Sequence, residues 1–298
     1  MILSEGTSPV GTQDSCHPYG TSFTRCDCFY QRVAPMGQLL KNKKDKMEHI
    51  KNILTKIEAS KNIKILYACE TGSRAWGFPS PDSDFDIRFI YMHERDWYLS
   101  LGAPKDTIEI MDGDLDITGW DLKKSLILLK KSNAPLIERF NSPIEYFSMP
   151  GFKDEFNKLV ADYYSPIAVF FHHHSLAKKF WEELKDKEEV KLKAYFYLIR
   201  SLLSCNWIIK DNTVLPMHME GLMKYIEEKY KERLRELIKL KATVGEKYSY
   251  PKDEKLNAWI ESLFELIEAG KQNLVVNKAD TGLLNEFFLK MLYGKADN

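Results

Sequence analysis

From Met47 onward, apolar residues recur at helical spacing (Met47, Ile50, Ile53, Leu54 and Ile57), which predicts an amphipathic helix running to about Ser60. The next run, IKILYAC over 63–69, is short and almost wholly apolar, as a strand covered on both faces would be. A Gly72-Ser73 turn follows, then a loop punctuated by Gly77, Pro79 and Pro81, then a strand over 83–91. DTIEIMDGDLDITGW over 106–120 predicts two strands broken at Asp112-Gly113, a hairpin turn pair. DLKKSLILLKKS over 121–132 predicts a helix capped by Asp121, and Pro135 is expected to end it, because a proline disfavours helix at the residue before it. Beyond 151, amphipathic helical patterns occupy 152–163, 167–185, 188–210, 217–241, 254–271 and 281–293.

These elements predict an α+β fold. A small mixed β-sheet flanked by helices fills 47–150, and an all-helical domain follows over 151–298. Residues 1–46 differ: they are rich in Gly, Ser, Thr, Pro and Gln, show no apolar period, and end in the basic run KNKKDK. They are expected to be a disordered leader, with Met36 or Met47 as an alternative natural start.

Composition narrows the class without naming a function. The 298 residues carry 43 Lys+Arg against 43 Asp+Glu, for a formal net charge of +0, so any nucleic-acid or membrane partner has to be met by a local patch. No apolar run approaches the roughly 18 residues of a membrane span, and the N-terminus lacks the charged and apolar regions of a secretory signal. Five scattered cysteines point to reduced thiols and a cytoplasmic location. Cys16, His17, Cys26 and Cys28 lie in the leader, but without paired CxxC knuckles they make a poor zinc site.

The chemistry concentrates in ETGSRAWGFPSPDSDFDIRFIY over 70–91. Residues two apart on a strand share a face, so Asp84, Asp86 and Arg88 form one row while Phe85, Ile87 and Phe89 pack the other. Adjacent carboxylates repel, and both stay ionised at neutral pH only with a cation between them. Oxygen ligands of this kind suit Mg²⁺, with Mn²⁺ as a substitute, held together with a substrate phosphate. Gly72 and Ser73 supply a turn that can approach phosphate closely, and Arg74 and Arg88 are candidates to neutralise a triphosphate, Arg88 the better placed. Two metal ions about 3.5–4 Å apart need a third carboxylate from a neighbouring strand. Asp116, flanked by Leu115 and Ile117, is preferred over Asp114, which sits beside a turn where aspartate is common.

This order of features, apolar strand, Gly72-Ser73, Asp84-Phe85-Asp86 and a later strand Asp, resembles the DNA polymerase β-like nucleotidyltransferase superfamily. With DITGWDLKKSLILLKKSNAPLIERFNSPIEY and KLKAYFYLIRSLLSCNWI, the stretch 47–230 resembles more narrowly the nucleotidyltransferases assigned to a bacterial and phage RNA-repair pathway. The resemblance implies transfer of a nucleoside monophosphate from an NTP to a hydroxyl, with pyrophosphate leaving. It implies Asp84 and Asp86 as ligands of two Mg²⁺ ions, Asp116 as the third carboxylate, Gly72 and Ser73 as the triphosphate grip, and RNA as acceptor. A protein or small-molecule hydroxyl as acceptor, and a nucleotide-binding regulator without turnover, remain alternatives that the residues do not separate.

The helical half adds Lys193, Tyr197 and Arg200 at i, i+4 and i+7, hence on one face. Such a face is commonly solvated, but its match to the family motif points to a nucleotide- or acceptor-facing role, Tyr197 stacking on a base and Arg200 pairing with phosphate. In FHHHSLAKK, His172 is the candidate for an acceptor groove, and no zinc is expected. Ser132 and Asn133 are candidate cleft residues, and Trp76 and Trp120 follow the two loops nearest the site, where either could stack on a base.

Overall fold

A computed structural model describes residues 43–102, 105–274 and 280–294. The cysteines of the leader and the alternative start at Met36 lie outside these residues, whereas Met47, the other alternative start, lies within the first helix. The first helix, α1 (Lys43–Lys61), begins four residues earlier than its apolar period suggests. Lys43, Lys44 and Lys46 sit on its first turn, where sequence reading assigns them to the leader because they carry no apolar signal.

Five strands form one mixed sheet: β1 (Lys64–Glu70), β2 (Phe85–Met92), β3 (Thr107–Asp112), β4 (Leu115–Asp121) and β5 (Glu145–Ser148), in the order β3-β4-β2-β1-β5. β2 and β4 are parallel; the other neighbours are antiparallel. One face packs on α1, where Ile50, Leu54 and Ile57 meet Ile87, Phe89, Tyr91 and Ile117 in a compact apolar cluster. The other face carries the aspartate row and meets helices, in a core that runs from Leu66 of β1 to Phe287 near the C-terminus. Gly119 is required in β4, because a Cβ there would lie 2.2 Å from the Phe89 ring of the parallel neighbour.

Between the strands run short helices α2 (Gly72–Trp76) and α3 (Arg95–Tyr98), then α4 (Leu122–Lys130) and α5 (Ala134–Arg139) after β4. Asp121 caps α4 as expected, its carboxylate accepting from the Lys123 amide at 2.8 Å. The expectation for Pro135 is corrected. It opens α5 instead of closing α4, in the first turn where a missing N–H costs little, and Asn133 caps that helix by accepting from the Leu136 amide at 3.1 Å. Ser132 likewise does not reach the cleft; its hydroxyl accepts from the Ser165 amide at 2.8 Å.

The remaining chain is α6 (Phe152–Tyr163), α7 (Pro166–Leu184), α8 (Leu192–Asp211), α9 (Met219–Leu222), α10 (Glu228–Lys241), α11 (Glu254–Gly270) and α12 (Gly282–Tyr293). A two-stranded ribbon departs from the all-helical expectation: β6 (Glu189–Lys191) pairs with β7 (Ser249–Pro251). Three residues are too few for a period-two signal to stand out beside the strong helical pattern of α8. The stretch 217–241 is not one helix either, because Ile226 is extended (φ −114°, ψ 158°) between a 3-10 turn at Met223–Tyr225 and α10. No described helix is long and apolar enough to cross a membrane.

Candidate active site

The parallel register of β2 and β4 sets Asp86 directly opposite Asp116, with Arg88 opposite Thr118 and Ile90 opposite Trp120. Asp116 is therefore the strand carboxylate that joins the row, as its apolar flanks suggest, while Asp114 stays in the turn, its carbonyl accepting from the Phe85 amide at 2.8 Å. Asp84 lies just before β2 with its side chain exposed.

The compensation for the paired carboxylates is already present within the chain. Arg88 donates to Asp86 Oδ1 at 3.0 Å and to Asp116 Oδ2 at 2.8 Å, and its other terminal nitrogen reaches the Asp116 carbonyl at 2.8 Å. Burial raises the Asp86 carboxyl above its ordinary value; Arg88 opposes this, and the neighbouring Asp116 and Asp84 add to it. On sequence grounds Arg88 is the better placed of the two candidates to neutralise a triphosphate. In this structure it bridges the two aspartates.

Gly72 is fixed by two independent constraints. Its φ is +61°, and a Cβ there would fall 1.9 Å from Asp86 Oδ2, so no side chain fits between this turn and the carboxylate. The turn is tied to β2 by the Thr71 amide, which donates to the Asp86 carbonyl at 2.8 Å. Ser73 is buried with its hydroxyl 3.1 Å from Ser83 Oγ, and Arg74 donates to the carbonyls of Ser83 (2.6 Å) and Asp84 (3.1 Å) while its guanidinium lies 3.9 Å from the centre of the Phe85 ring. Both side chains brace the loop that presents Asp84.

Behind the row sits a residue that sequence reading missed. Glu70, the last residue of β1, is fully buried; its Oε1 accepts from the Asp86 amide at 2.8 Å and its Oε2 from the Tyr146 hydroxyl. Burial pushes its carboxyl up to about 7, against the pull of those two hydrogen bonds. The only signal in the sequence is a charged residue ending an apolar strand, which reads as a strand boundary.

Above the sheet face opens a cavity of about 430 Å³, lined by Gly72, Asp86 and Arg88 from the sheet side, by Glu138 and Arg139 of α5, and by His172, Tyr197 and Arg200 of α7 and α8. Tyr197 and Arg200 thus face the aspartate row across the cavity, and burial pushes the Tyr197 hydroxyl up to about 12, with Glu246 and Asp86 adding to the rise. Lys193, on the same helix face one turn earlier, is not among the lining residues; it pairs with Glu246 at 2.7 Å. Arg200 is buried and bonds Glu138 at 2.9 Å, and His173 lies 3.1 Å from the other Glu138 oxygen. Burial works against ionisation of Glu138, but Arg200 and His173 together hold its carboxyl down at about 2. His172 lines the cavity with its pKa lowered by burial and by His173. Trp76 lines the cavity too, but one ring face carries Arg200 at 4.4 Å and its edge contacts Tyr197, while Trp120 carries Arg139 at 3.5 Å. Both indoles are packed against cations.

In kind, Asp84, Asp86 and Asp116 suit a hard cation such as Mg²⁺. Asp86 Oδ2 and Asp116 Oδ1 are not held by Arg88. Among the described residues no three His, Cys, Asp or Glu side chains are gathered closely enough to hold a metal ion, so these carboxylates would take one only by rearranging around Arg88.

A family model described as RlaP, RNA repair pathway DNA polymerase beta family, matches residues 47–290. An uncharacterized protein, YcgL of Bacillus subtilis (strain 168), is 38% identical over 240 residues, which cover 79% of this chain and 92% of that one. A crystal structure of a nucleotidyltransferase-like protein from Exiguobacterium sibiricum 255-15 aligns over 85% of this chain and 81% of its own, at 11% identity and a TM-score of 0.27.

Proposed function

The chain belongs to the RNA repair pathway DNA polymerase beta family, and from that premise we propose that it transfers a nucleoside monophosphate from an NTP to a hydroxyl of RNA, releasing pyrophosphate. The observation that carries the reading is the Asp86–Asp116 pair in direct register, pressed against a Gly72 turn that admits no Cβ and opening onto a cavity of about 430 Å³. A merely structural charge pair would need neither the glycine nor the cavity.

Mg²⁺ held by Asp84, Asp86 and Asp116 would neutralise charge on the transferring phosphoryl group. The chain's own residues do the rest. Glu70 and Thr71 fix the backbone of Asp86 on both sides, through its amide and its carbonyl, so the carboxylate is presented from a rigid strand. Arg88 is already oriented between the two aspartates, and on substrate binding it is the guanidinium closest to exchange carboxylate for phosphate oxygens. Asp116 Oδ1, which Arg88 leaves free, accepts the proton of the attacking hydroxyl as the hydroxyl oxygen bonds to the α-phosphorus. The bond from that phosphorus to the β-phosphate bridging oxygen breaks, and pyrophosphate carries the charge away. Tyr197 faces the cavity as the stacking surface for a base.

The test is transfer of label from α-labelled NTPs to RNA with Mg²⁺ or Mn²⁺. Asp86→Ala and Asp116→Ala are each expected to lower transfer at least a thousandfold with the circular dichroism spectrum unchanged. Full activity in either variant would falsify the reading.

A further inference from the structure

Three arginines line the cavity, and two have carboxylate partners: Arg88 is held by Asp86 and Asp116, Arg200 by Glu138. The third, Arg139, has none among the described residues. It is only 3% exposed, its guanidinium lies over the Trp120 ring at 3.5 Å, and its Nη1 is buried without a hydrogen-bond partner. Its pKa is lowered to about 9, chiefly by burial, with Cys69 opposing and the nearby Arg88 adding to the fall, so one cation sits close to another with no carboxylate paired to it. Stacking on an indole offsets part of the cost of such a group, but an unused donor in a dry site is unfavourable unless a ligand satisfies it.

We propose that Arg139 is the phosphate-reading residue of this cavity, its guanidinium fork binding an oxyanion of a phosphate group carried by the nucleotide or by the acceptor end. The inference rests on the cavity being the nucleotidyltransferase site proposed above, and it adds a residue outside the Gly72-Ser73 turn and the aspartate row. Three features favour phosphate. The planar fork matches two oxygens of one phosphate. Arg88, close enough to depress Arg139, can share a multiply charged anion with it. And the stacking on Trp120 pre-orients the guanidinium, so that little rotamer freedom is lost on binding. Trp120 is four residues beyond Asp116 on the same strand face, about 13 Å along the backbone, which places this phosphate to one side of the reacting centre.

The position explains why sequence reading passed over it. Arg139 ends a six-residue helix, APLIER, between Glu138 and Phe140, where nothing in the local pattern sets it apart from a surface charge. Only the fold lays it over Trp120 at the cavity wall.

The test compares wild type with Arg139→Met and Arg139→Lys by calorimetry and tryptophan fluorescence. The probes are the four NTPs, their nucleosides, inorganic pyrophosphate, and two RNA oligonucleotides identical except for a 3′-terminal phosphate. Arg139→Met is expected to lose at least tenfold in affinity for phosphate-bearing probes, with nucleoside and unphosphorylated RNA changed less than twofold. Arg139→Lys, which keeps the charge and loses the fork, should fall between them. Loss confined to NTPs and pyrophosphate assigns the phosphate to the nucleotide; loss confined to the 3′-phosphorylated RNA assigns it to the acceptor. Because the arginine has no carboxylate partner to strand, Arg139→Met should melt no lower than wild type. Equal loss for phosphorylated and unphosphorylated probes, or no loss, overturns the proposal, as does a lower melting temperature with phosphate discrimination intact. Should Arg139→Met fail to fold, unchanged phosphate affinity in Arg139→Lys overturns it alone. Arg139-dependent phosphate binding without any label transfer by wild type would uphold this inference and sink the nucleotidyltransferase reading. Normal transfer in Arg139→Met together with unchanged affinity for every phosphate-bearing probe would do the reverse.

Discussion

Glu70 shows how one buried carboxyl sets a pH response. In the unfolded chain it titrates near 4.5, and in the folded protein near 7. The folded state therefore binds the proton more tightly, and the stability this confers is full below about pH 4.5 and disappears as pH rises through 7. A shift of this size corresponds to about 3 kcal/mol. Glu70→Gln, which keeps an acceptor for the Asp86 amide, is expected to flatten the decline in urea-unfolding free energy between pH 4.5 and 7. An unchanged slope would show that the carboxyl is not titrating there. At this scale the sequence was informative about Asp84, Asp86, Asp116 and Gly72, because a charge in an apolar strand and a Gly-Ser turn are visible without a structure. For Ser73, Arg74 and Arg88 the residue types suit phosphate, and the sequence does not show that their side chains also close hydrogen bonds within the loop or between the aspartates. Which of two suitable partners a side chain takes depends on distances that no local pattern encodes.

At the scale of elements, the loop between α2 and β2 is latched from far along the chain. Glu246, after α10, accepts from Ser83 Oγ at 2.7 Å and pairs with Lys193 at 2.7 Å, while its amide donates to Asp82 at 2.9 Å. Lys241, nearly fully buried, donates to Ser80 Oγ at 2.7 Å from the same side. Lys193 is thus a bracing residue for the loop that carries Asp84. Glu246→Ala is expected to cost about 1–2 kcal/mol, since it leaves two lysines and a buried hydroxyl less well paired. The readout is hydrogen exchange: protection should fall over 79–84 and stay unchanged along the β2–β4 ladder. Uniform loss over both would mean the latch holds the whole fold and not this loop. The helices with long apolar periods, α1, α6, α7, α11 and α12, were legible because a 3.6-residue period over three or more turns is hard to imitate. β5, β6 and β7 were not, being three or four residues long, and Pro135 was misjudged because its meaning depends on whether a helix ends or begins there.

For the molecule as a whole, the Glu138–Arg200–His173 cluster links α5 to α7 and α8 through a buried charge network. Arg200→Met would leave the Glu138 carboxylate buried with His173 as its remaining partner. The expected destabilisation is about 3–5 kcal/mol by urea unfolding, with part of it recovered in the Glu138→Gln, Arg200→Met double variant. Because Arg200 and His173 hold Glu138 near 2, its contribution is present above pH 4.5 and is lost as pH falls toward 2. A double variant no more stable than Arg200→Met would show that the charge pairing is not what holds these helices. None of this network was visible in the sequence, where Glu138 and Arg200 stand 62 residues apart in unrelated patterns. The parallel register of β2 and β4 has a further consequence for how this protein fails. A slip of one residue would set Leu115 or Ile117 beside Asp86 and turn Asp116 to the opposite face. A slipped pairing leaves Asp86 without its partner carboxylate. Under the proposed transfer reaction, specific activity would then report the fraction of chains whose central strands have paired in register.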